Sequence, residues 1–273
     1  METGKVYLRW TSAGCFIAFL LLILFSLRHD ILTNNVETGD FAANSLLILK
    51  AKKLSLLTGN YSRVGFNHPG PAILYVLALG ESVFFDLLHV VPSPFSGQLV
   101  AVAFYNAFWA MLAWRMMHAL VRDRDVAFGA FLTMLAYAAL VDHQVLNGMW
   151  FPHLYFFPFL VALLSLTLII AGNLRYIPIL ALATGFLING HVSFVPMLLF
   201  VFAFLLTYVL VRNHVSANRQ SIFDFAKRQW PQMLIFAAII GFFLLPLLIL
   251  TIRDFPGPVA SYVSFGQSHQ RNE

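Results

Sequence analysis

Long apolar runs broken by short polar clusters dominate the chain. Hydrophobic stretches lie at about 11–27, 96–121, 126–141, 153–171, 174–189, 191–211 and 231–252. Most approach the roughly twenty residues that a helix needs to cross about 30 Å of hydrocarbon at 1.5 Å per residue. The third and fifth are short. The ten-residue alternation of a membrane β-barrel is not seen. The pattern predicts an all-α, polytopic membrane protein whose residues 1–273 form a single module of about seven spans.

Segment 71–91, "PAILYVLALGESVFFDLLHVV", is apolar but carries Glu81 and Asp86. An Asp at bilayer depth costs about 2.5–3.5 kcal/mol, which argues against a span. Basic residues decide the matter. With 71–91 held at the interface, Lys5 and Arg9, then Arg115, Arg122 and Arg124, then Arg175, then Arg212, Arg219, Lys227 and Arg228 all fall on one side. The opposite short connections, 142–152 and 189–190, contain no Lys or Arg. The positive-inside bias therefore predicts a cytoplasmic N-terminus and one large external segment, 28–95. Within it, "DFAANSLLILKAKKLSLLTG" sets Ala43, Leu46, Leu47, Leu54 and Leu57 near one helical stripe, the pattern of an interfacial amphipathic helix. Segment 71–91 supplies a second such helix. The first span reads as a retained signal anchor.

Composition strengthens this picture and narrows the function classes. The chain is 60% hydrophobic with 28 Phe, only 11% of it is charged, and its mean hydropathy is +0.78. A water-soluble domain of this length needs a more polar exterior. The net charge of +5 sits between spans rather than on one soluble face, so no nucleic-acid partner is expected. The single cysteine, Cys15, lies inside the first run and rules out disulfide and CxxC chemistry within the chain. No Walker or dinucleotide fingerprint occurs, which leaves soluble sugar-nucleotide use without support.

Candidate chemistry gathers in the first external segment. "YSRVGFNHPGP", residues 61–71, packs two Pro and two Gly around Arg63, Asn67 and His68 and cannot be ordinary helix interior. Upstream, Glu37 and Asp40 flank "TG" ahead of an apolar helix. Asp40 suits a helix N-cap and equally suits a base that accepts a proton from an incoming hydroxyl. Arg63, with Lys50, Lys52 and Lys53, could clamp a phosphate, Arg through its planar fork and Lys as a point charge. The plainer role for each lysine is snorkelling toward anionic lipid. His68, His143, His153 and His191, together with Arg253 and Asp254, are expected at the same membrane face. A lone His is more often structural, and these have no fixed metal spacing. Trp10, Trp150 and Trp230 read as belt anchors at span ends.

The order of these features resembles the GT-C superfamily of integral membrane glycosyltransferases, nearest its protein O-mannosyltransferase and aminoarabinose transferase branch. The likeness runs from an N-terminal span through "GDFA", an amphipathic helix, "GNYSRVGFNHPGP" and a second amphipathic helix to "WFPH" and "INGHVSF". It covers nearly the whole chain in layout and the first external loop in motif. The resemblance implies a polyprenyl-phosphate-linked sugar donor, an inverting transfer at the external face of a bacterial inner membrane, and an acidic base in the first external loop. By position, Asp40 is that base and Glu37 the competing match. By position His68 falls at the family's extended turn before its second juxtamembrane helix, and on the enzyme reading the polar residues expected at that face, Arg63, His68, Lys50, His153, His191 and Arg253, are the candidate substrate contacts. No cofactor is expected, with a divalent metal left open, and the acceptor is not specified. Many relatives are roughly twice as long, so a fragment, a truncated product and a minimal module are all compatible with a chain ending at "SHQRNE". The alternatives to an enzyme are a transporter or lipid-handling protein and, after it, a catalytically inactive subunit.

Overall fold

The structure, a computed structural model, describes residues 2–62, 65–121, 123–215 and 222–269. The regular elements among the described residues are all helical: α1 (Glu2–Ser26), α2 (Arg28–Leu32), α3 (Gly39–Lys52), α4 (Ala72–Gly80), α5 (Pro94–Leu120), α6 (Arg124–Val141), α7 (Phe151–Ile170), α8 (Ile177–Gly190), α9 (Phe194–Val215), α10 (Ile222–Arg253) and α11 (Gly257–His269). A π-helical stretch, Glu81–Leu87, follows α4, and a 3₁₀ turn, Leu174–Tyr176, precedes α8. Among the described residues the only extended pairing is an isolated bridge between Tyr61 and Asn67.

Four helices are long and apolar enough to cross a membrane: Pro94–Leu120, Arg124–Val141, Phe151–Ile170 and Trp230–Arg253. Shorter apolar helices occupy Thr11–Ser26, Leu174–Gly190 and Phe194–Ala203. The most apolar window, in α10 at a mean hydropathy of 2.9, is only 6% buried. Side chains such as Phe242, Leu248 and Ile252 stand bare on it. Water would not tolerate so large an apolar face, whereas lipid supplies it with a matching solvent. The architecture is that of a membrane protein.

The core forms around α5, whose apolar window is 78% buried. Trp109, Ala103, Ala110 and Met116 along it have no exposed surface. Helices α1, α4, α6 and α7 pack on α5, and α8 then bridges α7 to α10. Small residues bring α4 close to α5. A Cβ on Gly80 would stand 2.6 Å from the Gly97 carbonyl oxygen, and one on Gly97 2.9 Å from the Glu81 Cα.

That crossing shows how segment 71–91 tolerates its acids. It stays outside the set of long apolar helices and forms a short α-helix followed by a π turn. Glu81 is buried, and its carboxylate accepts from Lys52 Nζ at 2.7 Å and from Gln98 Nε2 at 3.0 Å. Lys52 also bridges to Asp86. Gln98 Nε2 reaches the Ser45 hydroxyl at 3.3 Å, and that hydroxyl donates to Glu37 at 3.0 Å. A buried carboxylate without such partners would take up a proton or destabilise the fold. Burial favours the neutral form of Lys52, but hydrogen bonds and charge from Asp86 and Glu81 outweigh it and raise the net pKa.

Helix α3 corrects the expected amphipathic stripe. It ends at Lys52, so Leu54 and Leu57 fall beyond it, and Leu46 is exposed. The buried side is Asn44, Ile48 and Ala51, because α3 lies against protein and not only against lipid.

Candidate functional site

The segment around "NHPGP" folds into a tight double-backed loop. Gly59 N–H donates to the His68 carbonyl at 2.8 Å, His68 N–H to the Asn60 carbonyl at 2.9 Å, and Ser62 N–H to the Phe66 carbonyl at 2.9 Å. Asn67 Nδ2 reaches Thr58 Oγ1 at 3.1 Å. Gly70 then docks the loop onto the end of α8. Its N–H donates to the Asn189 carbonyl at 3.0 Å, and a Cβ there would stand 2.1 Å from Asn189 Oδ1. Asn189 in turn donates to the Phe243 carbonyl of α10 at 2.9 Å. Only glycine permits this approach. From the other side α11 closes on the loop, with the Tyr262 hydroxyl donating to the Asn67 carbonyl at 2.8 Å and Phe66 set edge-on to Tyr262 and Phe265.

A cavity of about 240 Å³ opens where this loop meets the helix ends. Helix α3 contributes Asp40, Ala43 and Asn44, the loop Asn60, Tyr61, Ser62 and His68, the start of α7 Trp150 to Pro152 with Tyr155, and the end of α8 His191. Asp40 is the second residue of α3. Thr38 is the N-cap and makes no side-chain cap bond, so Asp40 supports the helix as a first-turn anion and does not serve as its N-cap. Tyr155 is fixed by donating its hydroxyl to the Gly190 carbonyl at 2.6 Å. The Tyr155 ring lies where a Cβ on Gly190 would be, 2.2 Å from Cε1.

The two pocket histidines face one another, their ring centroids 4.1 Å apart and the planes 35° from parallel. His68 Nδ1 accepts the Val192 N–H at 3.5 Å, and His191 Nδ1 accepts the Ser193 N–H at 3.2 Å. An acceptor Nδ1 assigns the proton of a neutral ring to Nε2, so each ring keeps an N–H to donate on its other edge. Both are held neutral. Burial, and then the repulsion that a protonated His191 would add, pushes His68 down to about 4, and burial likewise lowers His191. Asp40, two neutral imidazole donors, amide groups and aromatic faces together can accept a proton, donate to ligand oxygens and pack on an apolar ring face.

Three residues singled out from the sequence, Asp40, His68 and His191, thus line one cavity although about thirty and then over a hundred positions separate them. Others stand apart from it. Glu37 is held by Ser45. Lys50 is exposed on the last turn of α3. His153 is buried behind Trp150, where its Nε2 meets Asp142 Oδ2 at 2.8 Å and steadies the 142–150 turn. Asp142 is itself held low first by the Gln144 N–H and then by His153. Arg253 pairs with Asp254 at 2.8 Å. Arg63 lies outside the described residues.

Asn44, Asn60, Tyr155 and Trp150 are pocket residues that sequence reasoning passed over or read otherwise. Tyr155 follows Phe151 at helical spacing in "FPHLY", a signal available to a helical reading. Trp150 was expected only as a belt anchor, yet half its surface faces the cavity side and solvent. Among the described residues no group of three or more His, Cys, Asp or Glu converges as a metal site. Compared with known proteins, the chain matches no family model, no curated protein and no solved structure.

Proposed function

We propose that the chain is an integral membrane glycosyltransferase that moves a sugar from a polyprenyl phosphate to an acceptor hydroxyl. The observation that carries this reading is the convergence of Asp40, His68 and His191 on one cavity at the helix ends. The donor's lipid tail would lie along the apolar helices while its head enters the cavity. Four long apolar helices support a membrane setting for this chemistry, and the asymmetry of the basic connections supports an extracytoplasmic cavity end.

Chemistry is a single inverting displacement. The acceptor oxygen attacks the anomeric carbon as the bond from that carbon to the phosphate oxygen breaks, and the phosphate leaves with the electron pair. Asp40 takes the acceptor proton. Imidazole N–H groups donate to oxygens of the bound head group, and enclosure strengthens those bonds. Arg63, assigned on sequence alone, is the cation for the departing phosphate.

The test is purified protein in lipid vesicles supplied with a polyprenyl-phosphate sugar carrying an isotopic label in the sugar, together with a cell-envelope extract as the source of acceptor hydroxyls. Mass spectrometry should find the label on a new acceptor and free polyprenyl phosphate in equal amount. Intact donor carried from one leaflet to the other, with no bond cleaved, would replace this reading with a transporter.

A further inference from the structure

The cavity's described lining is unusual for a phosphate site. It contains an acidic side chain, Asp40, no Lys or Arg among the described residues, and two histidines whose environment keeps them uncharged. Phosphate recognition ordinarily draws on Arg or Lys. What the lining offers is a mixed set of neutral partners. His68 and His191 each have Nε2–H to donate. Asn60 keeps its Oδ1 enclosed and without a hydrogen-bond partner, an acceptor satisfied when the amide turns toward a donor in the cavity. Trp150 and Tyr61, both about half exposed, add aromatic faces at the rim.

A ligand that suits this set must donate and accept at several points and also present a flat apolar face. Hydroxyl groups do both of the first two, and a pyranose ring carries them around its edge while its C–H groups form the face. We infer that this cavity is a neutral sugar subsite in which Trp150 stacks on the ring and Asn60, His68 and His191 read its hydroxyls, with the phosphate lying outside it. The inference deepens the glycosyl-transfer reading by naming the part of the donor that the cavity holds. Trp150 becomes a specificity residue, well placed for it at the N-cap of α7 and braced from behind by His153.

The experiment uses the full-length protein in lipid nanodiscs with methyl hexopyranosides as probes, read by saturation-transfer NMR on the ring C–H protons. Wild type should bind them, and Trp150→Ala should weaken binding by about fivefold or more. Trp150→Phe, which keeps a ring, should recover most of the loss, and Trp230→Ala in the lipid-facing belt should change nothing. Inorganic phosphate at the same concentration should not displace the glycoside. Absence of glycoside binding, indifference to Trp150→Ala, or displacement by phosphate each overturns the subsite. The two readings fail separately. Trp150-dependent glycoside binding without transfer supports the subsite and sinks the transferase, whereas transfer with glycoside binding insensitive to Trp150→Ala sinks only the subsite.

Discussion

His68 is the residue whose chemistry the fold alters most plainly outside the spans. Its ring is buried against His191, with Asp40 and Tyr155 lining the same cavity, and its pKa falls from 6.5 to about 4. Because the folded value lies below the unfolded one, the unfolded chain takes up the proton first as pH falls. Stabilisation is thus complete above about pH 6.5 and is lost progressively on the way down to about 4. His68→Gln should flatten this part of the pH dependence of thermal unfolding in detergent. An unaltered slope in His68→Gln would mean that folding does not lower the pKa of His68. Such residues were legible because polar groups are rare in so apolar a chain. Trp150 was not, since a tryptophan at a span end satisfies a membrane interface and a pocket rim with the same side chain. Asn60 gave no pattern at all, its position being set by the Gly59 and His68 backbone bonds that only the folded loop reveals.

At the scale of elements, two contacts hold the cavity walls in place. The first is the polar cluster that ties α3 to α5 and to the π turn. Lys52→Met leaves the buried Glu81 without its cation and should cost about 3 kcal/mol or more in unfolding free energy. Exposed Lys53→Met should stay within about 0.5 kcal/mol. Comparable small effects from both would show that the Lys52 to Glu81 bridge adds nothing. The second is the Gly70 contact with Asn189. Gly70→Ala forces a methyl onto the Asn189 amide and should destabilise by about 1–3 kcal/mol, whereas Gly14→Ala, with open space around it, should cause no loss in the same melting assay. The apolar helices were readable in advance because lipid demands length and apolarity of each, whatever its neighbours. The interfacial helix was misjudged in its facing because its burial is decided by α4 and the cavity, where Asn44 is inside and Leu46 outside. Likewise, the acids of 71–91 argued against a span, but their partners, Lys52 and Gln98, lie in segments whose proximity no local pattern encodes.

For the whole molecule, the arrangement puts the 142–150 turn beside the end of α1, where Asn147 donates to the Ser26 hydroxyl at 2.6 Å, and so at the cavity end. Seven spans with a cytoplasmic N-terminus then require that a reporter active only outside the cytoplasm work when fused after Asn147 and fail when fused after Arg122 or Asn218. The reverse pattern would turn the molecule over and place the cavity in the cytoplasm, away from an extracytoplasmic donor head group. The measurement that bears most directly on the central claim is turnover by purified Asp40→Asn with a polyprenyl-phosphate sugar. Asn keeps the size of the side chain and gives up the first-turn charge, worth about 0.3–1 kcal/mol to α3, so the variant should fold and insert. It cannot take the acceptor's proton. Transfer should fall by about a hundredfold or more while Glu37→Gln, whose side chain is tied to Ser45, loses much less. Near-wild-type transfer by Asp40→Asn would contradict the account and reduce Asp40 to a charge at the start of a helix.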